Sequence, residues 1–328
     1  MTLQFKLPGL DDYEGRAKTE SPEISGCRII VGHAPDILRT FPPDSVQCCV
    51  TSPPYWSLRD YEVPHQIGAE QHLEEYLHRL CEVFDAVYRV LRPDGTLWLN
   101  IGDSYTSGGR NRRAPDKKNG AREMSYRPQT PPGLKPKDLI GVPWRVAFAL
   151  QSRGWYLRSD IIWYKPNCQP ESVRDRPTQA HEYLFLLSKS EQYYYDFQAI
   201  RESTEDGFGY RNKRTVWAVN TAPFPKAHFA TFPPELIEPC ILAGARRGDT
   251  ILDPFFGAGT VGLVARQTGR AFCGIELKAE YAAMAAERLG WSEERIETAG
   301  RRLRGSESNV IGQGATSDVF EMVGQPAL

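Results

Sequence analysis

The chain has 328 residues, of which 41% are hydrophobic, 25% charged and 11% aromatic, and its formal net charge is -1. This composition excludes a chain that is disordered throughout, and the length suits one large α/β domain with insertions, or about two domains. The sequence contains neither an uncharged apolar run of about 18 residues nor a basic start followed by an apolar run, so we expect a cytoplasmic protein without a membrane span.

Cysteine and histidine usage bears on redox state and metals. The seven cysteines are scattered and contain no CxxC pair, which indicates neither a disulfide framework nor a cysteine zinc site. The six histidines form no HExxH motif and no i, i+4 pair. The sequence therefore predicts reduced cysteines and no metal site.

Residues 1–26 are polar, and we expect them to form a loosely ordered N-terminal arm. Apolar strands are predicted over Cys27–Val31 and Gln47–Thr51. The second strand leads into Ser52-Pro53-Pro54-Tyr55-Trp56, where consecutive prolines restrict the backbone. A stiff loop here predicts a binding or catalytic role, which the next residues specify.

The Ser52–Trp56 loop combines hydrogen-bond acceptors with flat rings. A rigid backbone can hold the Ser52 hydroxyl and the Pro53 carbonyl as acceptors, with Tyr55 and Trp56 beside them. Such a site fits a planar base that carries an exocyclic amine. A surface loop anchored by a buried aromatic ring is the alternative that this pentapeptide leaves open.

After Leu73, apolar residues recur at steps of three and four up to Leu91, which predicts an amphipathic helix. Arg92-Pro93-Asp94-Gly95 ends this helix, and a strand is predicted over Thr96–Ile101. The alternation of helices and strands has then begun, and a mostly parallel sheet is the expected product.

Residues 104–137 carry nine basic and two acidic side chains, a net charge of +7, so the remainder of the chain carries -1 - 7 = -8. The segment is rich in glycine and proline and has no apolar period, which predicts a long inserted loop. A positively charged loop favours contact with nucleic acid, and a solvated insertion is the alternative.

Later elements repeat the alternation. They are predicted as helix Val142–Gln151, strands Tyr156–Trp163 and Tyr183–Leu187, helix Pro234–Ala243, strand Thr250–Asp253, helix Thr260–Gln267, strand Phe272–Ile275 and helix Ala279–Leu289. Residues 190–226 are predicted as a second inserted loop, and the Gly/Ser-rich residues 301–328 as a flexible tail. The pattern predicts an α/β fold with helices on both faces of the sheet.

A glycine turn lies directly between a predicted strand and helix, in Asp253-Pro-Phe-Phe-Gly257-Ala-Gly259-Thr-Val-Gly262. Glycines in such a turn let the backbone approach a ligand. The stretch satisfies G-x-G-x-x-G, so a dinucleotide site with Glu276 on the ribose is one interpretation. The carboxylate of Asp253 beside the turn suits a cationic amino-acid cofactor better than a pyrophosphate.

Taken together, these motifs resemble the DNA amino-methyltransferases that act on cytosine N4 or adenine N6. The resemblance is to the subgroup with Ser-Pro-Pro-Tyr, in the permuted order where the catalytic loop precedes the cofactor loop. It runs from about residue 28 to 290 and rests on Thr51–Trp56, Leu91–Gly95 with Leu99–Asp103, Trp163–Asn167, Pro170–Arg176, His228–Pro233 and Asp253–Thr260. Where similar enzymes often have Gly-Asp, this chain has Gly32-His33, and His33 receives no role.

The resemblance implies a Rossmann-like, S-adenosylmethionine-dependent methyltransferase sheet within residues 27–300, with DNA-contacting loops near 104–137 and 190–226. It implies cofactor contacts at Asp253, Phe255, Gly257, Gly259, Thr260 and Glu276, with Asp253 near the amino-acid part and Glu276 on the ribose. It also implies that Ser52, Pro53, Pro54 and Tyr55 hold the target base. Double-stranded DNA is the expected partner; a companion restriction endonuclease and the oligomeric state are left open.

Candidate DNA contacts are Trp56, Arg110, Arg112, Arg113, Lys117, Lys118, Arg174 and Arg176, although Arg174 and Arg176 could equally form ion pairs within the chain. A target amine is paired inside a duplex, so its nucleotide must be extruded. Serine at position 52 favours cytosine N4 over adenine N6. A nicotinamide-dependent oxidoreductase and an inactive DNA-binding module are the alternatives from other classes.

Overall fold

A nine-stranded sheet forms the centre of the protein, seen in a computed structural model that describes residues 26–61, 63–106, 128–204, 207–222 and 232–298. The strands of the described residues are β1 (Arg28–Val31), β2 (Val46–Thr51), β3 (Leu91–Ile101), β4 (Tyr156–Tyr164), β5 (His181–Ser188), β6 (Glu202–Ser203), β7 (Tyr210–Arg211), β8 (Val216–Ala218), β9 (Thr250–Asp253), β10 (Ala271–Glu276) and β11 (Ile296–Thr298). The helices are α1 (Ala34–Arg39), α2 (Leu73–Val90), α3 (Val142–Ser152), α4 (Pro234–Gly244), α5 (Thr260–Gln267) and α6 (Ala279–Arg288).

The order of the strands in the sheet is β11-β1-β10-β9-β2-β3-β5-β4-β8. Only β5 runs against its two neighbours, and every other pairing in this sheet is parallel. The chain passes from β9 through α5 to β10 on one side, and from β2 through α2 to β3 on the other. The adjacent strands β9 and β2 therefore form a topological switch point, where α/β sheets open a crevice at the carboxyl ends of the strands.

Two apolar layers cover the sheet. Alternate residues of one strand enter different layers, as Leu97 and Leu99 pack with α2 and α3 while Trp98 packs with α4. The layer with α1, α2 and α3 contains Phe84, and the layer with α4, α5 and α6 contains Phe272. Helices on both faces explain why the central strands read as continuous apolar runs.

The predicted fold class is confirmed, and every helix and strand predicted in the sequence is present. Most boundaries differ by no more than two residues, and the largest difference is at β3. This strand begins at Leu91, directly after α2, and a register shift against β2 accommodates Arg92–Gly95 as an irregularity within the strand. The sequence missed α1, β8, β11 and the antiparallel pair β6–β7, because elements of two to six residues are too short to show a period.

Of the predicted insertions, residues 107–127 lie outside the described residues, as do residues 1–25 of the N-terminal arm and the tail 301–328. Residues 205–206 and 223–226 of the second predicted loop also lie outside the described residues. The described residues 190–204 and 207–222 hold more structure than the loop we expected: a 3₁₀ turn at Gln198–Ile200, the antiparallel pair β6–β7, and β8, which extends the sheet beside β4. In the part of the chain that the structure describes, we find no helix of the length and apolarity needed to cross a bilayer.

Candidate active site

A cavity of about 970 Å³ opens at the carboxyl ends of the parallel strands. The Ser52–Tyr55 loop after β2 and the glycine turn after β9 both line it. The two segments are about two hundred residues apart in sequence, and they meet because β2 and β9 are hydrogen-bonded neighbours. Their junction is a hydrogen bond of 2.7 Å, in which Thr51 Oγ1 donates to Asp253 Oδ1.

Asp253 is the most deeply placed carboxyl group of this cavity. It is 2% exposed, and it accepts hydrogen bonds from Thr51 and, at 3.1 Å, from the backbone N–H of Phe255. Burial raises the pKa of Asp253 from 3.8 to about 7, although both hydrogen bonds act in the opposite direction. A buried carboxyl group that would gain from a nearby cation suits a ligand with an ammonium group.

Glu276, at the end of β10, orders the glycine turn. Its Oε2 accepts the backbone N–H of Gly257 at 2.7 Å, and its Oε1 accepts that of Lys278 at 3.0 Å. Burial raises the pKa of this carboxyl group as well. Gly257 and Gly259 both have left-handed backbone angles, with φ of 51° and 75°, which explains glycine at these positions.

The end of the turn packs closely on α6. A Cβ at Gly259 would lie 2.9 Å from Ala285 Cβ, and Thr260 Oγ1 accepts a hydrogen bond from Arg288 at 2.9 Å. Phe255 is partly exposed and lines the cavity, as do the predicted cofactor residues Asp253, Gly257, Thr260 and Glu276. The structure therefore gathers five of the six predicted cofactor contacts around one space, and Gly259 is not among the residues that line it.

The Ser52–Tyr55 loop is held from below. Tyr76 of α2 donates its hydroxyl to the Pro54 carbonyl at 2.9 Å. Ser52 and Tyr55 are partly exposed and line the cavity, and Pro53 is buried along its rim. The loop thus presents a hydroxyl and an aromatic ring to the space beside Asp253, as the sequence predicted.

Three polar residues around the Tyr55 hydroxyl, Asn100, Lys165 and Glu182, were not among the predicted site residues. Tyr55 donates its hydroxyl to Glu182 Oε2 at 2.7 Å; Asn100 donates to the same oxygen at 3.2 Å, and Lys165 donates to Oε1. Asn100 and Lys165 lie within motifs that carried the family resemblance. Glu182 is the second residue of the antiparallel strand β5, so its approach to Tyr55 depends on sheet topology that no local pattern reveals.

Trp56 does not present its ring to the cavity, contrary to the sequence-based prediction. Its side chain is 3% exposed, and its Nε1–H donates to the Glu70 carbonyl at 2.9 Å. Glu70 also accepts from the Gly68 backbone and from Arg79. Burial of a large aromatic ring in the core stabilises the folded protein more than exposure of that ring to solvent does. Trp56 is therefore the buried anchor of the loop.

The predicted DNA contacts divide into two groups. Arg110, Arg112, Arg113, Lys117 and Lys118 lie outside the described residues, and their role stays a prediction. Arg174 is exposed at the surface. Arg176 pairs with Glu171 at 2.6 Å and stacks on Tyr105, so the alternative of an ion pair within the chain applies to it.

His33, to which the sequence assigned no role, also lines the cavity. Its Nδ1 lies 3.1 Å from Asp36 Oδ2, and its ring centroid is 6.2 Å from that of His65. The first turn of α1 therefore holds this side chain at the rim.

Comparisons with known proteins agree with this arrangement. A family model described as DNA methylase matches residues 46–287. The type II methyltransferase M.Cfr9I of Citrobacter freundii is 58% identical over 294 residues, which cover 90% of this chain and 93% of that protein. M.SmaI of Serratia marcescens, also named a type II methyltransferase, is 56% identical over 281 residues, covering 85% and 96% of the two chains.

Solved structures share the fold. PvuII DNA methyltransferase (cytosine-N4-specific) superimposes with a TM-score of 0.62 at 22% identity, over 83% of this chain and 90% of that one. A structure from Thermus thermophilus, assigned as a DNA modification methylase and complexed with S-adenosyl-L-methionine, gives a TM-score of 0.54 at 26% identity, over 80% and 95% of the two chains.

Proposed function

Because this chain belongs to the DNA methylase family of S-adenosylmethionine-dependent amino-methyltransferases, we propose that it transfers a methyl group to the N4 amine of a cytosine extruded from duplex DNA. The observation that carries this proposal is the meeting of two loops in one cavity, joined by the Thr51–Asp253 hydrogen bond. One loop suits a cationic cofactor, and the other suits a planar base.

S-adenosylmethionine supplies a methyl group on a positively charged sulfur. We propose that Asp253 holds its ammonium group and that Glu276 receives its ribose hydroxyls. The cofactor then lies against the glycine turn, on a wall formed by Phe255, Gly257, Gly259 and Thr260. The buried carboxyl group of Asp253 and the left-handed glycines support this fit, because the first needs a cation and the second allow close backbone approach.

The exocyclic amine of a nucleobase is a weak nucleophile, because its lone pair is delocalised into the ring. In our proposal the Ser52 hydroxyl and the Pro53 carbonyl accept its N–H bonds, and this favours a pyramidal nitrogen whose lone pair is available. Tyr55 stacks on the ring, and Pro54 stiffens the loop. Most of the acceleration then comes from orientation of the amine, without a covalent intermediate.

Serine rather than aspartate at position 52 supports cytosine N4 over adenine N6 as the target. Mass spectrometry of nucleosides from DNA incubated with the protein and isotope-labelled S-adenosylmethionine tests the choice. We expect labelled N4-methylcytosine, and its loss in Ser52→Ala with cofactor binding retained. Labelled N6-methyladenine alone would refute cytosine as the target.

Two further proposals concern the partner. The basic segment and Arg174 contact DNA phosphates, which offsets the few kcal/mol needed to extrude a nucleotide. The names of the type II relatives support a role in modification beside a restriction endonuclease. Mapping of modified bases in DNA from cells that express the chain would give the target atom and the recognition sequence together.

A nicotinamide-dependent oxidoreductase is the alternative that the glycine turn raises. Against it, the Gly257 N–H is already donated to Glu276, and the carboxyl group of Asp253 lies beside the turn that a pyrophosphate would occupy. Thermal unfolding with each ligand separates the two functions: we expect S-adenosylmethionine to raise the Tm and NAD to leave it unchanged.

A further inference from the structure

Glu182 accepts a hydrogen bond from the Tyr55 hydroxyl, and the Tyr55 hydroxyl in turn contacts the Ser52 hydroxyl. Tyr55 donates to Glu182 Oε2 at 2.7 Å, and Lys165 donates to Oε1. The side chains of Glu182 and Lys165 are each 16% exposed, so this ion pair is largely shielded from water. An ionised carboxylate only accepts hydrogen bonds, and the direction of the bond from Tyr55 is therefore determined.

The direction of that bond decides where the Ser52 hydrogen points. Tyr55 has one hydroxyl hydrogen, and Glu182 Oε2 at 2.7 Å receives it in preference to Asn100 Oδ1 at 3.3 Å. With either acceptor, the phenol oxygen offers only lone pairs toward Ser52. Ser52 Oγ lies 3.4 Å from the phenol oxygen, with the geometry of a donor in a long hydrogen bond. With its hydrogen directed at Tyr55, Ser52 presents only lone pairs to the cavity, which is what an incoming N–H requires.

Two observations support a built arrangement. Burial and, secondarily, the charge of Glu182 raise the pKa of Tyr55 well above its ordinary value, so the phenol remains a donor through the neutral range. A Cβ at Gly102 would lie 2.8 Å from Tyr55 Cε2 and 3.2 Å from Glu182 Cγ. Glycine at the end of β3 thus permits the approach of both side chains.

We propose that Glu182 is a positioning residue which, through the Tyr55 hydroxyl, holds Ser52 as a hydrogen-bond acceptor for the target amine. This inference rests on the proposed function, because it assumes that Ser52 receives an amine N–H. Lys165 has the supporting role of engaging the second carboxylate oxygen, which leaves Oε2 to accept from Tyr55 and Asn100.

A double-mutant cycle tests the proposal. In Glu182→Gln, Lys165 retains the amide carbonyl as its acceptor, and the NH₂ group turns toward Tyr55. The Tyr55 hydrogen is then shared between Ser52 Oγ at 3.4 Å and Asn100 Oδ1 at 3.3 Å, so Ser52 is no longer held solely as a donor to Tyr55. We expect the single-turnover rate of methyl transfer to fall about 10- to 100-fold, with the Kd for S-adenosylmethionine unchanged. Tyr55→Phe should cause a similar loss, and Glu182→Gln in the Tyr55→Phe background should cause no further loss.

Glu297→Gln is the matched control, because Glu297 also forms a short ion pair, with Arg28 at 2.6 Å, and does not line the cavity. It should retain the wild-type rate. If Glu182→Gln does not fold, as judged by its Tm, Glu182→Asp replaces it in the same cycle: the carboxylate remains but is withdrawn by one methylene, and a smaller, equally non-additive loss is expected.

The proposal is overturned if the rate of the double variant is reduced by the product of the two single reductions, since Glu182 would then act independently of the Tyr55 hydroxyl. An unchanged rate in Glu182→Gln also overturns it. If the wild-type protein methylates no DNA in this assay, the proposed function fails and the inference fails with it. Methyl transfer by the wild type with additive losses refutes the inference alone.

Discussion

At the scale of single residues, the site depends on polar groups that are buried at the carboxyl ends of the strands. Asp253 is the clearest example, because its pKa of about 7 comes from desolvation that its two hydrogen bonds do not compensate. The folded pKa exceeds the unfolded value, so the folded state binds more protons between about pH 4 and 7. The free energy of unfolding of the ligand-free protein therefore decreases as the pH rises through this window.

Cofactor binding should show the opposite pH dependence. In the proposed complex the ammonium group pairs with the ionised form of Asp253, so we expect the affinity for S-adenosylmethionine to weaken, up to about tenfold per pH unit, below about pH 7. Asp253→Asn should flatten this dependence and weaken binding at pH 8 about 10- to 100-fold. Isothermal titration between pH 5.5 and 8.5 measures both effects.

Asp85→Asn is the matched control. Asp85 lies on α2 and its carboxylate pairs with Arg153, so this variant should retain the wild-type dependence of cofactor affinity on pH. An equally steep pH dependence in Asp253→Asn would assign the titration to another group, of which Glu276 beside the turn is the nearest candidate.

Trp56 yields a second prediction at this scale. Trp56→Phe removes the hydrogen bond to the Glu70 carbonyl inside the core, so we expect the free energy of unfolding to fall by about 1 to 3 kcal/mol. The Kd for DNA, measured by fluorescence anisotropy, should stay within about twofold of the wild-type value.

Trp291→Phe is the comparison, because Trp291 is partly exposed and its ring stacks on Phe272. Its loss of stability should be smaller. A tenfold weaker DNA affinity in Trp56→Phe without a loss of stability would return Trp56 to the DNA-contacting surface.

At the scale of elements, the glycine turn and α6 behave as one unit. Gly259 combines a φ of 75° with a close approach to Ala285, whereas Gly290, after α6, has a φ of 71° and open space within 4 Å of the position that a Cβ would take. Gly290→Ala should cost about 1 to 2 kcal/mol for the left-handed backbone alone. Gly259→Ala should cost about 2 to 4 kcal/mol, because overpacking is added.

Urea unfolding of both variants checks this difference, with the slope m monitored so that changes in midpoint report stability. Equal losses would mean that the turn moves away from α6 at no cost and that only the backbone conformation requires glycine there.

Elements with a long apolar period could be predicted from the sequence, as α2 and the β9–α5–β10 unit demonstrate. The periodicity of α2 reports a buried helical face directly, and glycine and proline delimit the other elements. β8 could not be predicted, because three residues show no period and their pairing with β4 depends on the assembled sheet.

The candidate site divides in the same way. Ser52–Tyr55 and Asp253–Thr260 are contiguous motifs, so their chemistry is visible in the sequence. The contacts of Tyr55 with Glu182, 127 residues away, and of Trp56 with Glu70 depend on tertiary placement. Trp56 in particular has the same local context whether its ring enters the core or faces a ligand.

At the scale of the whole molecule, positive charge is segregated along the chain into residues 104–137. The +7 segment leaves the sheet directly after β3 and returns at α3. Its two ends are joined by backbone hydrogen bonds from Ile140 to Ser104 and from Thr106 to Asp138, and Asp103 accepts the first N–H groups of α3. The basic segment therefore originates at the edge of the sheet where the cavity opens.

This placement predicts the salt dependence of DNA binding. Neutralising Arg110, Arg112, Arg113, Lys117 and Lys118 together should weaken DNA binding at about 100 mM salt and reduce the slope of log K against log salt by up to about 4.5. Arg39→Gln with Arg246→Gln, at the opposite edge of the sheet, serves as the charge control and should leave the slope unchanged. Thermal unfolding of both variants excludes a loss of fold. An unaltered slope in the variant with five substitutions would mean that these side chains release no counterions on DNA binding. Arg174 and the 190–226 segment would then be the remaining candidates for phosphate contacts.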